Sequence, residues 1–285
     1  MYYLLTFSII FASLNSIILN RAKLKRKSEI FFFNFLVSAV WLVIFFILNK
    51  GSIHINRNAL LWGIIYGITQ AFFVLFKTLA MGSGPVSITT LIGNFSLIVS
   101  VMVSLILWNE TFTAYDVFGI FLLLFSIFLC TYKKNDLNFS SKWKYFAIFF
   151  FIFAAGVGIV FKAFGKSSVA SYCSDMMLVA SIVMLACFFI LSLVCGGFKC
   201  KKITKSNKRF LLYAVLCGLL SCVYNRLNIF LAGKINAVIF FPAFNGGVIL
   251  LSALLGIIMC KEKLSKKQVL GILTGTLAIA IIGIF

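Results

Sequence analysis

Acid is what this sequence has least of. Its 285 residues include only six Asp or Glu against 26 Lys or Arg, a net charge of +20, and 11% of the residues are charged in all; a water-soluble domain typically has about 25%. There is one histidine, His54, in a short loop beside Arg57 where it reads as a surface residue, and there are two prolines, Pro85 and Pro242. The eight cysteines form no CxxC and no Cys/His metal spacing. The pairs Cys195/Cys200 and Cys217/Cys222, each C-x4-C, read as small apolar packing residues. No G-x-x-x-x-G-K-[ST] loop and no domain to hold ATP are present, so primary energisation has no support. The sequence asks for no metal and no cofactor.

What is abundant is hydrocarbon: 62% of the residues are hydrophobic and the mean hydropathy is +1.12. Crossing a bilayer takes about 20 apolar residues, and ten such runs occur, at roughly 2–20, 29–49, 58–81, 84–107, 114–132, 143–165, 173–197, 209–232, 236–259 and 267–285. They are far longer than the roughly 9–11 residues of a barrel strand and lack its alternation, so helices must satisfy the backbone in lipid. The expected fold class is therefore an all-α polytopic membrane protein. Residues 1–20 lack a basic start and run into RAKLKRKS rather than a small-residue cleavage site, and so read as the first span.

The excess of cations tempts a nucleic-acid reading, but they sit in short loops, where they signal topology. Nineteen fall in the loops after spans 1, 5, 7 and 9, and five, Lys50, Arg57, Lys162, Lys166 and Lys234, fall at the opposite face. The positive-inside rule then puts both termini outside a plasma membrane.

The two halves repeat at an offset of 152. WNETFTAYDVFG sets Glu110 ahead of Thr113, Asp116 and Gly119, and CKEKLSKKQVLG sets Glu262 ahead of Ser265, Gln268 and Gly271 at identical spacing. Upstream, LAMGSGPVSI aligns with LAGKINAVIF without a gap. Five spans per half is odd, so the halves are inserted upside down relative to each other, an inverted-topology repeat. The division is 1–132 for the first repeat, 133–142 for a basic linker and 143–285 for the second. The paired glutamates invite an acid–base reading. Inversion puts them on opposite faces, however, and Thr113 with Asp116, or Ser265 with Gln268, has the spacing of a capping box, so structure is the better reading.

Ten helices in two inverted halves, with this E-x-x-[ST] junction between helices 4 and 5 and between 9 and 10, resemble the drug/metabolite transporter superfamily and within it the EamA-type branch. The resemblance covers the whole chain. It implies that helices 1–4 and 6–9 surround a central cavity, with 5 and 10 packed outside, and that substrate passes by alternating access. It also implies cytoplasmic termini, against the charge bias. Helix 10 suits a packing or dimer role, since Gly271, Thr274 and Gly275 form a small-residue stripe.

Polar residues inside spans are the candidate site. Arg226, in CVYNRLNIFLAG, lies about seven residues or roughly 10 Å from the end of its span, deep enough to need a partner or water. Lys77 sits in the equivalent helix of the first half. Both are expected on a cavity that no mid-span carboxylate neutralises, because Glu29, Glu110, Asp116, Asp136, Asp175 and Glu262 all lie near span ends or in loops. Asn94 and Asn245 are near the centres of helices 4 and 9, and Tyr66, Gln70, Asn34, Asn225 and Asn228 complete the candidate lining. Arg21 and Lys162 form a further basic pair at the ends of helices 1 and 6. Pro242, followed by Gly246 and Gly247, marks a gating hinge.

The sequence thus reads as a transporter, not an enzyme. Its expected cargo is a small polar metabolite, an amino acid or related organic anion, moved by export or exchange by a monomer or homodimer. The alternative is a membrane-embedded enzyme or carrier for a lipid-phosphate or other phosphate-bearing substrate. The charge rule is tested by fusing topology reporters to each terminus: both are expected outside, and a cytoplasmic signal from either contradicts it.

Overall fold

Apolar runs of this length bury their backbone polar groups in hydrocarbon only by coiling into helices. Ten helices form among the described residues: α1 (Tyr2–Arg21), α2 (Lys27–Leu48), α3 (Arg57–Ser83), α4 (Val86–Trp108), α5 (Ala114–Thr131), α6 (Trp143–Lys166), α7 (Cys173–Val194), α8 (Lys208–Lys234), α9 (Ala237–Cys260) and α10 (Lys266–Ile284). A single 3-10 turn, Ala170–Tyr172, precedes α7. The computed structural model describes residues 1–22, 24, 26–50, 56–83, 86–111, 113–131, 142–196, 208–260 and 265–284. His54, Pro85, Asp136, Cys200 and Glu262 lie outside them, as do nearly all of the 133–142 linker and the loop lysines at 23, 25, 199, 201, 202, 205, 261 and 263.

Eight helices, α1–α4 and α6–α9, are long and apolar enough to cross a bilayer by length and composition, and α5 is a shorter apolar helix. The ten expected spans thus divide into eight long helices and an α5–α10 pair, which pack mainly on each other. Polarity is turned inside out, as lipid requires. Val194, Ile106 and Phe121 are exposed, while Ser8, Ser38, Ser104, Ser181 and Asn225 are buried.

The helices pair as an inverted repeat demands. α3 packs on α6 and α7, and α8 correspondingly on α1 and α2; α4 lies on α6 as α9 lies on α1. The capping boxes form at both junctions. The Thr113 hydroxyl accepts from the Asp116 amide at 3.3 Å while Asp116 accepts from the Thr113 amide at 2.8 Å, and Ser265 and Gln268 exchange the same bonds at 3.3 and 2.9 Å. Gly271 and Gly275 face α5, where the Ser126 hydroxyl donates to the Gly271 carbonyl at 2.6 Å. The small-residue stripe therefore serves packing within the chain.

One couple breaks the symmetry. α6 and α8 pack closely, whereas their counterparts α1 and α3 make no comparable contact among the described residues. The α6–α8 contact runs through two glycines near the helix ends. A Cβ on Gly165 would lie 2.6 Å from the Ile229 carbonyl oxygen, and one on Gly233 would meet Gly165 backbone. Neither can yield without moving a helix, so Gly233→Val is expected to cost about 1–3 kcal/mol. Thermal unfolding in detergent measures it, and an unchanged midpoint would show that the two helices separate freely.

Candidate functional site

The stretch from Tyr224 to Asn228 shows how one helix serves two environments. Successive residues of a helix point about 100° apart, so Asn225 and Asn228 share a buried face while Arg226 is exposed on another. The buried amides are held by three neighbouring helices. Asn225 Oδ1 accepts from the Tyr66 hydroxyl of α3 at 3.3 Å, and its Nδ2 donates to the Ser221 carbonyl at 2.8 Å. Ser221 Oγ in turn accepts from Trp41 Nε1 of α2 at 2.7 Å. Ser8 of α1 donates to Asn228 Oδ1 at 2.6 Å. Each bond replaces one that water cannot make in the bilayer, which fixes the rotamers of both amides.

These asparagines line a cavity of about 230 Å³ between α3, α4, α6, α8 and α9. Gln70 and Lys77 of α3, Asn94 of α4 and Asn245 of α9 converge on it. Of the described residues that line it, Lys77 alone is charged. Its ammonium lies 5.8 Å from the centroid of the Phe73 ring, a cation–π distance, and among the described residues it has no carboxylate partner. Asn94 Nδ2 and Gln70 Oε1 are buried with no hydrogen-bond partner, although a buried polar group normally has one. The cavity thus offers a cation, an amide donor and an amide acceptor. Asn245 Nδ2 is already committed to the Phe241 carbonyl at 2.9 Å.

Seven aromatic side chains also line it: Phe73, Phe150, Phe161, Tyr224, Phe240, Phe241 and Phe244. Sequence reasoning missed these residues, with Ser96 and Ser100, because 34 phenylalanines conceal the few that face inward. The spacing of Phe240, Phe241 and Phe244, one face of a helix, was the available signal.

Three expected site residues lie elsewhere. Tyr66 is fully buried behind Asn225 and orients it. Asn34 bonds back to the Ile30 carbonyl at 2.8 Å and lines neither large cavity. Arg226 does not share a cavity with Lys77; it lines a second one, of about 620 Å³, with Lys234. Arg226 and Lys77, expected on one cavity, line two, because the helix turn carries Arg226 away from Asn225. At the hinge, Pro242 is buried inside a continuous α9. Gly246 and Gly247 sit against Leu123 of α5 and Ile9 of α1, where a Cβ would lie 2.6 and 2.7 Å from those side chains.

Above the cavity, at the ends of α4, α6 and α8, lies a buried ion pair. α4 stops at Trp108, and Asn109, with φ 47°, takes the left-handed conformation that Asn tolerates. The turn sends Glu110 inward, where Oε1 meets Lys162 Nζ at 2.5 Å and Lys166 Nζ at 3.7 Å. Glu110 Oε2 accepts from the Ala237 amide at 2.7 Å, so the carboxylate also caps α9, and Lys162 donates to the Ile235 carbonyl at 2.8 Å. Lys162 is completely buried while Arg21, its repeat counterpart, is exposed. The two are not equivalent anchors at the membrane surface.

Residues 1–132 match the EamA-like transporter family. A crystal structure of a protein 13% identical in sequence superposes on 98% of this chain and 94% of its own, with a TM-score of 0.70, which shows the same fold over the full length. No curated protein matches the sequence. The match, over just under half of the chain, and the eight long apolar helices fit an integral membrane protein.

The ion pair at the mouth of this EamA-like bundle has a measurable consequence. Removing one partner of a buried pair costs about 3–5 kcal/mol, because the other charge is left without compensation. Glu110→Gln is expected to lose that stability in detergent melts, and the double change Glu110→Gln with Lys162→Met to recover most of it. Equal melting of all three forms would mean that the pair holds nothing together.

Proposed function

We propose that the protein is a secondary transporter for a small metabolite bearing a carboxylate or similar anionic group, moved across the plasma membrane by alternating access. One observation carries this reading: Lys77 enters a cavity without a carboxylate partner, beside the unpaired donor Asn94 Nδ2 and acceptor Gln70 Oε1. A cation and an amide N–H take the two oxygens of a carboxylate, and the amide oxygen accepts from an ammonium or hydroxyl on the same molecule. An amino acid or a hydroxylated organic acid meets both demands. The aromatic wall holds its apolar part, and a volume of about 230 Å³, below the roughly 300–1,000 Å³ of pockets for drug-sized ligands, favours a molecule of metabolite size.

Asymmetry supports the transport cycle. The end bearing Lys162 is closed by the α6–α8 contact and the Glu110 ion pair, while the related α1–α3 couple at the other end is apart. Exchanging the two packings, by symmetry of the repeats, moves the opening to the other face. With the loop charges as guide, this conformer faces the cytoplasm and awaits cargo for export or exchange. Among the described residues that line the cavity there is no His, Cys, Asp or Glu, which weighs against an enzyme working there on a lipid phosphate.

Counterflow in proteoliposomes with a panel of amino acids and organic acids tests the reading. Lys77→Gln is expected to raise the half-saturating concentration of the carboxylate substrate about ten- to a hundredfold, from the about 1.5–3 kcal/mol of a hydrogen bond to a charged group. Arg226→Gln, in the second cavity, is expected to leave it unchanged. Anion transport indifferent to Lys77 would overturn the assignment.

A further inference from the structure

Arg226 is the charge that the central cavity does not absorb. It lies eight residues, about 12 Å, below Lys234 at the end of α8. It is exposed, and no carboxylate pairs with it among the described residues. An arginine at such depth facing hydrocarbon is costly, and such groups occur with a partner or beside water.

Its surroundings form a groove with a distinct shape. Cys222, Arg226, Phe230 and Lys234, each four residues from the next, make one ridge of α8 that borders a space of about 620 Å³ against α2, α6 and the start of α7. Phe45, Ile229 and Cys222 are buried at its floor, and Leu48, Val223 and Phe230 are exposed at its rim, where the bilayer lies. Ser171, from the 3-10 turn, lines its surface end with Lys234, and among the described residues no acidic one contributes to the lining. The nearby Asp175 accepts a hydrogen bond from Asn49 at 2.7 Å and is not part of the wall.

From these observations we infer that the groove between α2, α7 and α8 is a binding site for an anionic phospholipid. The headgroup phosphate sits between Arg226 and Lys234, and an acyl chain lies along Ile44, Phe45, Leu227 and Val223. Charge and apolarity are complementary at both ends of such a lipid. The guanidinium supplies a two-pronged contact to phosphate, and its stem can rise along Phe230 toward the headgroup level. A soluble anion would satisfy the cations and leave the apolar floor and open rim unexplained. The site is separate from the transport cavity, since α8 stands between them, and it does not depend on what the transporter carries.

Native mass spectrometry of the full chain with added phosphatidylglycerol or phosphatidylcholine tests the inference. The wild type is expected to retain phosphatidylglycerol preferentially, and Arg226→Gln and Lys234→Gln to reduce that preference about fivefold each, the worth of a cation beside an anionic headgroup. Val223→Trp, which keeps both charges and fills the chain-binding part of the groove, is expected to lower retention as well. It serves if an arginine variant fails to fold. Lys77→Gln is expected to keep the preference. An unchanged preference in a folded variant carrying both Arg226→Gln and Lys234→Gln, its loss in Lys77→Gln, or displacement of the lipid by glycerol phosphate at equal concentration would each overturn the assignment.

Discussion

The Glu110 carboxylate is the point on which the closed end of this bundle depends. With two oxygens it holds the buried ammonium of Lys162 and the first free amide of α9. Lys162 passes the tie on to the Ile235 carbonyl between α8 and α9. Ends of α4, α6, α8 and α9 are thereby fastened through one charged group. A helix start buried in apolar surroundings must have its amide hydrogens capped, and Asn236 takes the next one, from Val238, at 3.0 Å. A buried ammonium must likewise have its charge met. Each need is answered by the other's partner, so neither side chain is dispensable alone.

The same end is where the two halves differ in packing. The glycine contact of Gly165 with Gly233 brings α6 and α8 together just under the ion pair, and nothing comparable joins α1 to α3 among the described residues. Two halves of similar sequence thus occupy different packings at one time. The difference is carried by side chains that are not repeated: Lys162 is buried where Arg21 is exposed, and Gly233 has Gly165 across from it.

α8 divides the polar work of the protein between its faces. Tyr66, Ser221 and Ser8 fix Asn225 and Asn228 toward the central cavity. One residue along, Arg226 is exposed and lines the second cavity, against α2, α6 and the start of α7. A cluster of three polar residues that looks like one site in the sequence lines two cavities, because the helix separates neighbours by about 100°.

Length and apolarity of the runs determined the helices, since hydrocarbon admits no other way to satisfy so many backbone groups. The odd number of spans per repeat determined that the halves are inverted, and Thr113 with Asp116 and Ser265 with Gln268 announced helix starts through purely local bonds. That Asn94, Asn225, Asn228, Asn245, Gln70 and Lys77 stand out as polar residues within apolar runs was legible as well, and these six line the central cavity. Which of them meet was left to tertiary structure: Tyr66, Asn34 and Arg226 do not line the central cavity, a set of phenylalanines does, and Lys162 became a buried ion-pair partner. Those outcomes depend on how helices are rotated and how closely they approach. Small differences in packing between distant segments set both, and no stretch of the chain carries that information alone.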